Sequence, residues 1–212
     1  MLRSEAVTRI QRWIGFRTDL ETEIITALQD AQDELEGGQE LPWFLRSEVS
    51  SITTVADEER VPLPSNFLRE WEDDHMWVYD AAATEAADVW KPLLKLSLDQ
   101  MRLDYPGTGE PKAYATSGLY WRIGPVPDDV YALKTIYYKA DTVLTSDVEN
   151  MWLKYASDLM IGLAGQKISV PSRDAEAFAA FQQMEIKATN RLLIENIQHE
   201  QQNRSNQMGG TD

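Results

Sequence analysis

Between Gly109 and Tyr138 the chain carries a run suited to a sheet and to little else. Leu119, Trp121 and Ile123 alternate with Tyr120 and Arg122. Val130 and Ala132 then lead into Leu133-Lys134-Thr135-Ile136-Tyr137-Tyr138. This period of two, bounded by Ser117-Gly118 and Gly124-Pro125, predicts consecutive antiparallel strands. No catalytic pattern sits on them.

On either side the pattern is helical. Val7, Ile10, Trp13 and Ile14 make a short helix ending at Gly15. Thr18 or Asp19 can cap a second, because a side-chain oxygen there accepts an orphan amide. Its apolar face is Leu20, Ile24, Ala27, Leu28, Ala31 and Leu35, and Gly37-Gly38 stops it. After Asp141, Ser146 or Asp147 caps a helix through Val148, Met151, Trp152, Tyr155, Leu159 and Leu163. That helix is apolar round most of its circumference and is therefore expected to be buried. A turn over 168–172 precedes a last helix through Ala175, Phe178, Phe181, Ala188 and Leu192.

The middle reads as strands with one helix inside. Residues 46–55 form a strand, Asp57-Glu58-Glu59 a polar turn and Arg60–Leu63 a return strand, which Pro62 confines to an edge or a strand end. Ser65–Leu68 reads as turn or helix, and 71–79 as a strand with Trp77 and Tyr79 on one face. The alanine-rich 81–88 fits a helix or a long loop. Pro92 suits the first turn of a helix ending near Tyr105-Pro106-Gly107. The fold class is α+β: a helical bundle with a small antiparallel β-domain inserted. The divisions are 1–40 (N-terminal helices), 41–140 (β-domain, with a helix near 92–105), 141–198 (C-terminal helices) and 199–212 (a flexible arm). From His199 on, Gln, Asn, Ser and Gly dominate, which predicts disorder in the free protein because too little apolar surface is available to offset the ordering entropy.

Composition narrows the function. The chain has 212 residues, no cysteine and a formal net charge of −15. Without cysteine there is no disulfide framework and no thiolate chemistry. No apolar run approaches about 18 residues and no signal peptide is visible, so a cytosolic, membrane-free protein is expected. Such acidity repels phosphate and argues against sequence-specific duplex binding.

Candidate chemistry is sparse. Asp73-Asp74-His75 is the one place where acids meet a histidine, but strand neighbours point to opposite faces, and solvated loop charges are the plainer reading. A metal-dependent hydrolase built on these three is the enzymatic alternative. Asp128-Asp129 and Asp57-Glu58-Glu59 sit in predicted turns. Gly107-Thr108-Gly109-Glu110-Pro111 lacks the lysine and hydroxyl of a phosphate loop. No enzyme, metal site or cofactor is expected. The seven Trp and eight Tyr gather around the strands, where an exposed surplus would make a protein interface.

In their order, several segments resemble the head–tail adaptor (connector) proteins of tailed bacteriophages. They are Trp13–Leu20, Val61-Pro62-Leu63-Pro64-Ser65-Asn66-Phe67-Leu68, Gly109-Glu110-Pro111-Lys112-Ala113-Tyr114, Ile123-Gly124-Pro125-Val126-Pro127-Asp128 and Ile136-Tyr137-Tyr138. The resemblance covers about residues 10–165. It implies a structural virion protein of the neck, made in the host cytoplasm. Such proteins form a homo-oligomeric ring, twelve-membered in this family, that joins the portal protein to a tail or nozzle protein. They line the exit channel, with passing DNA contacted non-specifically if at all. The arm is then expected to dock on the portal through His199, Gln201, Gln202, Arg204, Gln207 and Met208. Tyr114, Tyr120, Trp121, Tyr137 and Tyr138 are expected to form a contact surface on the β-domain. A head-completion or tail-terminator protein is the second structural reading.

Overall fold

The computed structural model describes residues 1–38, 40–71, 75–80, 89–144 and 147–208, with 203–208 by their backbone alone. The chain is α+β and divides into two units: Met1–Leu45 with Ala140–Asp212, and Arg46–Lys139. The helical unit holds α1 (Arg3–Trp13), α2 (Glu21–Glu36), α4 (Met151–Tyr155), α5 (Ser157–Ser172) and α6 (Ala175–Met208). The other holds β1 (Arg46–Thr53), β2 (Arg60–Pro62), β3 (Phe67–Glu70), β4 (Met76–Tyr79), β5 (Trp90–Pro92) and β6 (Leu94–Lys95). After the short helix α3 (Leu98–Asp104) come β7 (Ala113–Ser117), β8 (Tyr120–Gly124) and β9 (Ala132–Lys139).

Helix α5 organises the helical unit. Four consecutive residues, Leu159, Met160, Ile161 and Gly162, are buried, and Ala164, Gly165 and Ile168 follow. Burial all round means neighbours all round: α6, α2, α4 and α1 pack on it. Against α6 the approach is backbone-close. A Cβ at Gly162 would lie 2.8 Å from the Glu185 amide nitrogen, and one at Gly165 would lie 2.4 Å from the Phe181 ring. Helix α2 buries Ile24, Ala27, Leu28 and Ala31 and ends where the Gly37 amide donates to the Asp33 carbonyl. The single helix expected from Ser146 or Asp147 is two. Asn150 caps α4 by accepting the Leu153 amide, and α5 starts afresh after Ala156; Ser146 lies outside the described residues. The turn expected over 168–172 is helical. Helix α5 absorbs Pro171 in its last turn, and the left-handed Arg173 (φ 54°) ends it. Asp174 then caps α6, its Oδ1 accepting the Ala177 amide at 2.9 Å.

In the other unit two sheets face each other, ordered β1-β9-β4-β5, with β3 also on β9, and β2-β8-β7-β6. Val61, Met76, Val78, Tyr114, Trp121, Ile123 and Leu133 fill the space between them, and α3 seats Met101 against Ala113 and Ala115. Gly118 (φ 64°) and Leu119 turn β7 into β8 as a two-residue hairpin, with Ser117 paired to Tyr120. Strands β8 and β9, expected to be consecutive partners, lie in different sheets. Strand β8 pairs with β7 and β2, and β9 with β1, β3 and β4. The expected return strand at 60–63 therefore turns away from β1 to become an edge of the second sheet, a place Pro62 tolerates. Residues 67–70 are strand, not turn or helix. The helix expected from Pro92 is shorter: 90–92 and 94–95 are strand, and Ser97 caps α3 by accepting the Gln100 amide at 3.2 Å. The 81–88 segment lies outside the described residues.

Candidate assembly surfaces

The longest element has two faces. Helix α6 runs 34 residues, about 50 Å at helical rise. One face packs within the unit through Ala177, Phe181, Leu192, Asn196 and His199, the first two fully buried. On the other side Ile186, Leu193, Ile194 and Ile197 recur at spacings of seven, one and three, a single stripe of the helix. Ile194 and Ile197 are 57% and 55% exposed. Such a contiguous apolar stripe is the kind of surface that protein contacts use.

An aromatic cluster anchors the far half of α6. The Trp43 ring stacks on His199 with centroids 3.9 Å apart, and its amide donates to Asn196 Oδ1 at 3.2 Å. Tyr155, Phe44 and Trp152 continue the cluster at centroid distances of 5.1–5.3 Å. The segment expected to start a flexible arm at His199 is helical as far as Met208, continuous with the rest of α6. His199 is half-buried, whereas Gln201 and Gln202 are exposed. Arg204, Gln207 and Met208 lie in the backbone-only stretch, and 209–212 lie outside the described residues. The Trp43 contact, which composition does not reveal, reaches Asn196 and His199 at the start of that segment.

Beneath the cluster lies a polar knot around Glu36. Its Oε1 accepts from Gln32 Nε2, the Asp141 amide and Trp152 Nε1, each at 3.0 Å. Asp141 accepts the Met151 and Trp152 amides, and Asn150 Nδ2 donates to Gln32 Oε1 at 3.0 Å. Burial is the largest influence on Glu36 and raises its pKa, against the hydrogen bonds that lower it. A carboxyl whose folded pKa is raised favours folding below its unfolded pKa. It loses that advantage as pH rises through the folded value. Glu36→Gln keeps an acceptor oxygen and removes the buried charge. It is expected to raise the thermal midpoint at pH 7 and to leave it nearly unchanged at pH 4, which calorimetry at the two pH values checks.

In the β unit the expected contact surface is largely core. Tyr114, Trp121 and Tyr137 are fully or almost fully buried, Tyr138 is half-buried, and only Tyr120 of the five is exposed. Adjacent strand residues point to opposite faces, so Tyr120 and Trp121, like Tyr137 and Tyr138, cannot share a surface. A different aromatic face, half-buried apart from the exposed Tyr79, lies on the outward side of the first sheet. Trp77 sits opposite Lys134, and Tyr79 opposite Trp90. The Lys134 ammonium lies 5.5 Å from the Trp77 ring and the Arg46 guanidinium 4.6 Å from Trp71.

His75 is not a solvated loop residue. It is fully buried, with the Tyr114 hydroxyl 2.9 Å from its Nδ1 and Glu70 Oε1 3.8 Å from its Nε2. Lys95 and Thr116 hold Glu70 in turn. Asp73 and Asp74 lie outside the described residues. Asp128 accepts the Tyr131 hydroxyl and Asp129 the Val130 amide, both local to the turn. Glu59 binds Arg122 at 2.6 Å. Among the described residues no three His, Asp or Glu side chains converge as metal ligands. No helix among them is long and apolar enough to cross a membrane.

Among the described residues, the helical unit exposes an apolar stripe on α6 and the β unit a partly exposed aromatic face. Over residues 1–210 the chain matches the family model described as SU10 adaptor protein, and it belongs to that family, one of phage head–tail adaptors. No curated protein matches it. Membership makes it a virion protein of the neck, in contact with other virion proteins such as portal and tail.

Proposed function

We propose that the protein is a non-enzymatic adaptor that forms a ring, joins the portal vertex to the tail and lines the channel through which DNA leaves. The uncovered apolar stripe of α6 carries this reading. Fully burying an Ile or Leu contributes about 1.5–3 kcal/mol, so four on one stripe make a substantial association surface. Members of a closed ring bind head to tail through two unlike faces, and a helix packed on one side and bare on the other supplies one such face. The charge of −15 suits a passage that DNA must clear without sticking.

The end of α6 beyond the Trp43 contact is the part that reaches the portal. A chain ended after Gln202 keeps His199 on Trp43 and is expected to hold its thermal midpoint while losing affinity for purified portal protein. Wild-type portal binding by the shortened chain would remove the docking role. Retention on tail-tube protein instead of portal would favour a tail-terminator.

A further inference from the structure

The outward face of the first sheet has an unusual charge balance. In a chain of 35 acids and 20 bases, the described residues of this face include Arg46, Arg69 and Lys134 against one carboxylate, Glu48, which pairs with Lys134 at 3.1 Å. Trp77, Tyr79 and Trp90 lie among them, Tyr79 at 44% exposure. Aromatic rings beside cations form the composition that dominates binding energy at protein interfaces. Arg46, lying over Trp71, is held in place for a carboxylate.

The matching surface is on the same chain. Residues 18–45 contain eight acids and no Lys or Arg. Along α2, Glu23, Thr26, Asp30 and Asp33 recur at three- and four-residue spacing. They lie on the exposed side opposite the buried Ile24, Ala27, Leu28 and Ala31. Neither Glu23 nor Asp30 has an ion pair among the described residues.

We propose that the outward face of the first sheet docks on the acidic flank of α2 in a second copy of the chain. The inference rests on the ring reading and names one of its contacts. The two faces are unlike, so each copy offers one and takes the other, and the contact propagates from copy to copy until it closes. Complementary charge sets partner and orientation, and the aromatics supply the area.

Two charge-reversed proteins test it by sedimentation in low salt: Arg46→Glu with Lys134→Glu, and Glu23→Lys with Asp30→Lys and Asp33→Lys. Wild-type chains are expected to self-associate. Each variant alone is expected to associate at least tenfold more weakly, because both of its faces then carry one sign. Mixing the two variants, or combining all five changes in one chain, is expected to restore association, which also shows that the variants fold. Unchanged association of either variant, failure of the mixture to recover, or a wild-type chain that stays monomeric would overturn the proposal. Association abolished by Ile194→Asp but indifferent to both reversals would leave the ring standing and remove this contact.

Discussion

Alanine at Gly162 is expected to destabilise the helical unit by about 1–3 kcal/mol, the usual cost of overpacking a filled core. The opposite sign is the natural guess, since alanine is about 1 kcal/mol better than glycine inside a helix. Packing decides against it. The new methyl would sit 2.8 Å from the Glu185 amide nitrogen, and that atom belongs to the backbone of α6 and cannot turn aside. The methyl at Gly165 would meet the buried Phe181 ring at 2.4 Å, a side chain that can be changed. Gly165→Ala is therefore expected to be rescued in part by Phe181→Leu, and Gly162→Ala not at all. Midpoints of the two alanine variants should fall by several degrees, at roughly 2–4 °C per kcal/mol for a chain of this size. A rise in either midpoint would mean that α5 and α6 do not lie as close as described.

Ile194→Asp with Ile197→Asp is expected to leave the monomer's midpoint unchanged or slightly raised, since both side chains already face water. The same change should nearly abolish assembly. Placing a carboxylate in an apolar contact costs several kcal/mol, and about 4 kcal/mol is a thousandfold in affinity. Loss of assembly with loss of fold would assign the stripe to the monomer's own core. Loss of assembly with the fold intact assigns it to an interface.

What the sequence shows and what it hides follow from range. Helix α2 is legible because its signals are local: Ile24, Ala27, Leu28 and Ala31 on one face, acids at the start and Gly37 at the stop. The burial of α5 is legible from an apolar circumference. The partition of the strands is not. Alternation at Trp121 and Ile123 gives two faces, but the partners of β8 are β7 and β2, and β2 lies some 60 residues upstream. Pro92 serves a strand edge as well as a helix start, and the nearby Ser97 is the residue that caps. The sheet's aromatic face is assembled from β1, β4, β5 and β9, so no one segment displays it. The resemblance to the adaptor family is legible all the same, because short ordered segments such as Val61–Leu68 and Gly109–Tyr114 are read without knowing which sheet each joins.

If the chain is built into the neck as a ring, its neighbours there are further copies of itself. Electron cryo-microscopy of the intact virion neck tests that directly. The expected result is a closed ring of this fold between portal and tail, with the α6 stripe covered by a neighbouring chain and DNA running through the centre. A neck that lacks this fold, or copies of it with the stripe open to solvent, would contradict assembly as a ring through α6.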